Sequence, residues 1–283
     1  MMVGDTAPVS ALRPQKLFIY ECEGNQPPVG EPDDSSFLGT WPEPPFYYLF
    51  FGQEAGAGFF SWLEKQRGWA FRNRYDLAYD QWQQISAETL QVGPFFITMQ
   101  SGVADLPKRC DGIVIRLDPG LVFGSGLHGS TKGCLLAIAH LFEHFPIKNA
   151  VDMGTGTGIL AIACGALGVP RVLAIDKNPL AVRAARKSIL LNGVENRVEV
   201  LAAEDLGVLK APSELLIMNL EWPSLQNVLG ESVWLSYKWV VVSGFLEKQW
   251  DRLKVRIPPV FRIRHRVTID DWLTVTLSRV DPQ

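Results

Sequence analysis

The chain has 283 residues, of which 47% are hydrophobic and 20% charged, and its formal net charge is −3. Length and balance fit a large domain plus a small one with a sizeable buried core, and they exclude a disordered or fibrous chain. So small a charge argues against a broad electrostatic footprint for nucleic acid, and no direct nucleic-acid binding is expected.

The four cysteines, Cys22, Cys110, Cys134 and Cys164, are scattered without a CxxC pair or metal-ligand spacing. A reducing compartment and no bound metal are therefore expected, with Cys134 and Cys164 acting as small buried hydrophobes. No basic start followed by an apolar run marks a signal peptide, and no stretch approaches the roughly 18 apolar residues of a membrane span. A cytoplasmic protein without a membrane partner is the expectation.

Residues 16–24 (KLFIYECEG) read as a strand, and the Pro-rich, acidic stretch 25–45 as a loop. Residues 46–52 read as a second strand, 54–68 as a short amphipathic helix ending at Gly68, and 69–82 as a segment holding another strand. This order predicts a small α+β domain over 1–80, followed by a linker over 81–92. The tryptophans Trp41, Trp62, Trp69 and Trp82 are expected to serve core packing.

Over 93–283 the texture changes. Strands are predicted at 95–100 and 112–120 and a helix at 130–145. Apolar strands then alternate with helices: NAVDMG, GILAIACGALG, RVLAID, PLAVRAARKSILLNG, RVEVLAAE. Further strands follow at 214–220, 239–245 and 270–279. Short apolar strands separated by helices predict a parallel, doubly wound α/β sheet covered on both faces. The basic cluster Arg252, Lys254, Arg256, Arg262, Arg264, His265 and Arg266 alternates with apolar residues, as the solvated side of late strands would.

Two glycine-rich loops carry the chemistry. Asp152, Gly154, Gly156 and Gly158 form D-x-G-x-G-x-G between a predicted strand and helix. Glycines let the backbone turn tightly and approach a ligand, and the helix N-terminus behind them offers free N–H groups. A dinucleotide fingerprint requires glycine at position 159, which is Ile159. The form present instead is typical of S-adenosylmethionine sites. Asp176 ends the next strand, where a carboxylate can accept both ribose hydroxyls. Glu204 or Asp205, after the third strand, could reach the adenine amine. Asp152 either orients the loop or faces the cofactor's amino group.

The other loop, GLVFGSGLHGST over 120–131, nearly matches a phosphate-binding P-loop. Its lysine position holds Ser130, so the β/γ-phosphate charge lacks a partner and a nucleotide triphosphatase is not expected. Taken with the glycine motif, the segments LDPGLVFGSGLHGST, VLAIDKNPLAVRAARKSILLNGV and LLIMNLEWPSL resemble the PrmA family of ribosomal protein L11 methyltransferases, over roughly residues 79–283.

The resemblance implies a class I, Rossmann-like methyltransferase using S-adenosylmethionine to methylate amines, lysine or N-terminal, of ribosomal protein L11. It implies that 120–131 closes over the cofactor, with Phe123, Gly124, His128 and Thr131 lining it. His128 stands as a structural hydrogen-bonder or a proton carrier. Asn219, at the end of the fourth strand, either caps a turn or presents a polar group to the methyl acceptor. Ser125, Leu127, Gly129 and Ser130 depart from the family's loop, Glu221-Trp222-Pro223 from its usual smaller residues, and the N-terminal segment from its ferredoxin-like domain. A related enzyme with another protein lysine or a small molecule as acceptor, and a non-catalytic cofactor-binding module, are the other readings.

Overall fold

The computed structural model describes residues 16–78, 89–99, 112–118, 121–122, 124–208 and 214–280. By its contacts the chain divides into two units, Met1–Gln84 and Ile85–Gln283.

In the first unit, strands β1 (Lys16–Gly24), β2 (Phe37–Glu43), β3 (Phe46–Phe51) and β4 (Trp69–Ala78) form an antiparallel sheet in the order β2-β3-β1-β4. Helix α1 (Ala57–Lys65) covers it, burying Phe59 and Trp62. Tyr20 gathers the aromatic core: its ring lies 4.7 Å from Phe59 and 5.3 Å from Phe51, and its hydroxyl oxygen accepts the Ala55 N–H at 3.1 Å. Trp62 is buried, Trp69 stacks on Tyr47 at 4.5 Å, Trp41 is half-exposed, and Trp82 lies outside the described residues.

The expected loop over 25–45 is corrected here, because Phe37–Glu43 forms β2. Its place at the sheet edge explains how a proline-bearing segment pairs: Pro42 faces Tyr47 with only one neighbouring strand to satisfy.

In the second unit a three-stranded sheet, β5 (Leu90–Val92), β6 (Phe95–Met99) and β7 (Ile113–Leu117), stands apart from the main sheet. Leu90–Val92 falls in the stretch expected as linker; it pairs with β6, while 79–88 lie outside the described residues. Helices α2 (Gly129–His144), α3 (Ile159–Ala166) and α4 (Pro179–Leu191) and strands β8 (Asn149–Met153), β9 (Arg171–Asp176) and β10 (Val198–Ala202) follow. Then come β11 (Leu215–Asn219), α5 (Trp222–Gly230), β12 (Trp239–Leu246), α6 (Trp250–Lys254), β13 (Phe261–Ile269) and β14 (Trp272–Arg279).

The main sheet runs β10-β9-β8-β11-β12-β14-β13. β10, β9, β8, β11 and β12 are parallel, whereas β14 is antiparallel to both β12 and β13. An all-parallel sheet was the expectation, and the connection explains the difference. β13 and β14 are joined by a two-residue turn, Asp270-Asp271, with φ of 49° and 65°, and so tight a hairpin makes its strands antiparallel.

Alternate residues of the central strands enter opposite cores. Ala150, Ile217 and Val241 join the cluster that includes α2 and α3, while Val151, Leu216, Met218 and Val240 join the one that includes α5 and α6. Period-two alternation with both faces apolar leaves those strands nearly continuously hydrophobic, as read from the sequence. Cys22, Cys134 and Cys164 are buried free thiols; Cys110 lies outside the described residues. No helix of the described residues is long and apolar enough to cross a membrane.

Candidate functional site

Reversal of strand order between β8 and β11 opens the crevice where α/β sheets hold ligands, at the carboxyl ends of the strands. Register sets the candidate residues side by side there. Met153 pairs with Ile175 and with Met218, Ala202 with Asp176, and Asn219 with Ser243. Gly154, Asp176 and Asn219 therefore leave three adjacent strands at one edge.

The loop after β8 is built around backbone that only glycine takes easily. Gly154, Gly156 and Gly158 have φ of 73°, 56° and 86°, in the left-handed region. At Gly154 an added Cβ would lie 2.2 Å from Leu220 Cδ2. The Gly154 and Thr155 N–H groups both donate to the Ile175 carbonyl, at 2.8 and 2.9 Å, so the loop folds onto the end of β9.

Asp152 holds this loop from below. It is fully buried, and its Oδ2 accepts the Thr155 hydroxyl at 2.6 Å and the Ala161 N–H of α3 at 3.2 Å. Its Oδ1 is buried without a partner. Burial pushes the carboxyl up to about 7, against the pull of those two hydrogen bonds. This geometry favours loop orientation over contact with a cofactor.

Asp176 lies above the loop. Its Oδ2 accepts the Gly156 N–H at 3.0 Å and its Oδ1 the Asn178 N–H at 2.9 Å. Asn178 in turn caps α4 through the Leu180 N–H at 2.9 Å. Partial burial raises the Asp176 carboxyl above the usual carboxylate range, with the backbone donors and Lys177 opposing. Glu204 is exposed, one residue beyond Ala203, whose N–H donates to the Asp176 carbonyl at 3.1 Å.

A hydrogen bond joins the first loop to the second. The fully buried Thr157 donates its hydroxyl to the Gly124 carbonyl at 2.7 Å. Asp118, where the loop begins, pairs with Lys187 of α4 at 2.6 Å. At the loop's far end His128 caps α2. Its Nδ1 accepts the Ser130 N–H at 3.4 Å and lies 2.8 Å from Ser130 Oγ. A ring nitrogen that accepts from a backbone N–H carries no proton, so the Nε2 tautomer is the neutral one here. Burial lowers the imidazole pKa, Asp270 opposing, and the ring lies 4.3 Å from that of Trp272.

Thr131, buried in the first turn of α2, accepts from Asn219 Nδ2 at 3.3 Å. Phe123 lies outside the described residues. Glu221, exposed at the start of α5, accepts the Ser224 hydroxyl at 3.4 Å. The structure thus brings Gly124 to the Gly154–Gly158 loop and Thr131 to Asn219. Sequence reasoning missed Thr155, Thr157 and Leu220. The two threonines occupy the variable positions of D-x-G-x-G-x-G, where a small hydroxyl is the only signal. Leu220 fills the space between Gly154 and Gly244, where an added Cβ would lie 1.9 Å from its carbonyl oxygen.

Comparison with known proteins identifies the family. The family model described as ribosomal protein L11 methyltransferase (PrmA) matches residues 77–280. A protein of that name from Heliobacterium modesticaldum is 39% identical over 177 residues, which are 62% of this chain and 55% of that protein. One from Mesorhizobium japonicum is 32% identical over 204 residues, 67% of each chain. The crystal structure of a ribosomal protein L11 methylase from Lactobacillus delbrueckii subsp. bulgaricus superposes with a TM-score of 0.61 at 26% identity, covering 68% of this chain and 98% of that one. The matched part of the chain spans little more than half of the Heliobacterium protein.

Proposed function

The chain belongs to the PrmA family of ribosomal protein L11 methyltransferases, and from that membership we propose that it transfers methyl groups from S-adenosylmethionine to amines of ribosomal protein L11. The observation that carries the proposal is the match over residues 77–280, which encloses both glycine-rich loops, Asp176 and Asn219. The donor set fits the cofactor. A partly buried carboxylate, Asp176, suits a ribose diol, and left-handed glycines leave the backbone open to close approach.

When bound, S-adenosylmethionine supplies an electrophilic methyl group on a sulfonium sulfur. Asp176 would hold the ribose, the Gly154–Gly158 loop the amino-acid portion, and Glu204 the adenine amine. Phe123, Gly124 and Thr131 would line the cofactor from the first loop. Asp152 orients the loop through Thr155 and α3.

Asn219 aims the acceptor. Its Nδ2 donates one hydrogen to Thr131, which fixes the amide plane, and the amide oxygen accepts a hydrogen of the incoming amine. A free lysine titrates near 10.4, and desolvation at the strand ends lowers that value, so positioning a neutral amine requires no strong base. His128 holds the N-terminus of α2 and is given no proton to carry. Lysine is the acceptor class proposed, and the unit Met1–Gln84 the one that grips the target.

One finding favours a second reading, in which a different protein supplies the lysine: the family match begins at residue 77 and leaves most of the first unit outside it. Asn219→Ala tests the assigned role. It should bind S-adenosylhomocysteine like the wild type while losing methyl transfer, and transfer at the wild-type rate would remove Asn219 from the acceptor site.

A further inference from the structure

Three of the four histidines, His140, His144 and His265, lie together. His140, Glu143 and His144 occupy positions i, i+3 and i+4 of α2, hence one face of its last turns, and all three are exposed. A ligating nitrogen from each imidazole and a Glu143 carboxylate oxygen lie within 4.8 Å of one another. We propose that His140, Glu143 and His144 form a binding site for a divalent transition-metal ion of the zinc class.

Two features beyond spacing support it. His144 Nδ1 lies 2.8 Å from the His140 carbonyl oxygen. A carbonyl only accepts, so Nδ1 carries the hydrogen and Nε2 is left with its lone pair outward. Metal-binding histidines are oriented in this way, the second ring nitrogen donating to a backbone carbonyl. The His140 ring is backed by His265 of β13, with centroids 4.6 Å apart and planes 25° from parallel, which limits the planes it can take. It also lies 4.6 Å from the His144 ring. Glu143 takes part in none of the ion pairs among the described residues and has its carboxylate free to ligate.

Two imidazoles and a carboxylate suit zinc, nickel or copper, whereas magnesium prefers oxygen donors alone. Zinc–nitrogen bonds of about 2.0–2.1 Å require the three donors to draw together, which exposed side chains achieve by rotation. Water would complete the coordination. The ion would clip the C-terminal turns of the helix whose N-terminus is capped by His128.

The test is calorimetric titration of zinc chloride into the full chain in a non-chelating buffer. The expected result is one zinc per chain, weakened at least ten-fold in the double variant His140→Gln/His144→Gln and less in Glu143→Gln, with no uptake of magnesium at the same concentration. All three side chains are exposed, so unfolding midpoints without metal should match the wild type. If they do not, the wild type alone decides by proton NMR: zinc should shift the ring resonances of His140 and His144 and leave those of His128 in place. Equal zinc affinity in wild type and double variant, no uptake by the wild type, or unshifted His140 and His144 resonances would each overturn the assignment.

Discussion

Thr157 and Gly124 are joined by a hydrogen bond of 2.7 Å, hydroxyl to carbonyl, and through it the two glycine-rich loops become one structure. That bond sets the loop proposed to seat the cofactor and the loop proposed to close on it in mutual register. Pre-organisation of this kind lowers the ordering cost of binding. Thr157→Val keeps the shape and removes the donor. It should lower stability by about 1 kcal/mol in denaturant unfolding and weaken S-adenosylhomocysteine binding, while Thr157→Ser retains both. A Val variant with unchanged affinity would show that the loops do not act together.

Asp176 is the carboxylate on which the cofactor assignment turns. Removing a charged hydrogen-bond partner costs about 1.5–3 kcal/mol, or roughly 10- to 100-fold in Kd. Asp176→Ala should weaken S-adenosylhomocysteine binding by that factor in calorimetry. The carboxylate also receives the Gly156 and Asn178 N–H groups, so a modest loss of stability should accompany it. Affinity equal to the wild type would remove Asp176 from the site.

Asp152 gives the fold a pH dependence of defined sign. Its folded pKa, about 7, lies above the ordinary 3.8. The stability tied to its protonated form is therefore full below pH 3.8 and is lost as pH rises towards and through 7. Asp152→Asn, which cannot ionise, should gain on the wild type across that window by at most roughly 1.4 kcal/mol per pH unit. Urea unfolding of both proteins between pH 5 and pH 8 checks this. A stability difference that stays flat, or narrows with rising pH, would contradict it.

Leu220 separates two glycines of different tolerance. An added methyl at Gly154 meets the end of a flexible side chain, whereas at Gly244, φ 90°, it meets the Leu220 carbonyl oxygen and backbone. Both substitutions strain a left-handed residue, at a cost of about 1–3 kcal/mol. Gly244→Ala should be the more damaging in thermal unfolding, because main chain must move. The reverse order would mean that the end of β12 is softer than its packing implies.

How much of this was legible in the sequence depended on distance along the chain. The β8–α3–β9–α4–β10 run was readable because each strand is a short apolar block and each helix start is marked, α3 by the glycines that end at Gly158 and α4 by Asn178 before Pro179. Asp152, Gly154, Gly156, Gly158 and Asp176 were readable because their spacing is fixed by one strand–loop–helix unit. β2 was hidden by Pro42 and the prolines on either side of the strand, and only an edge position excuses Pro42. The three-stranded sheet and the antiparallel β14 depend on pairings that no local pattern encodes. The Thr157–Gly124 bond spans 33 residues, and the Asn219–Thr131 bond 88, so neither could be read from spacing. The sequence reading of His128 as a structural hydrogen-bonder did not include its capping of α2, nor the acceptance by Nδ1 that fixes its tautomer.

The most direct test of the central claim is incubation of the purified chain with methyl-tritiated S-adenosylmethionine and ribosomal protein L11. Label is expected on ribosomal protein L11, carried on lysine after acid hydrolysis and lost with Asn219→Ala. Cofactor binding without label on that protein would contradict the substrate, and no binding at all would contradict the site.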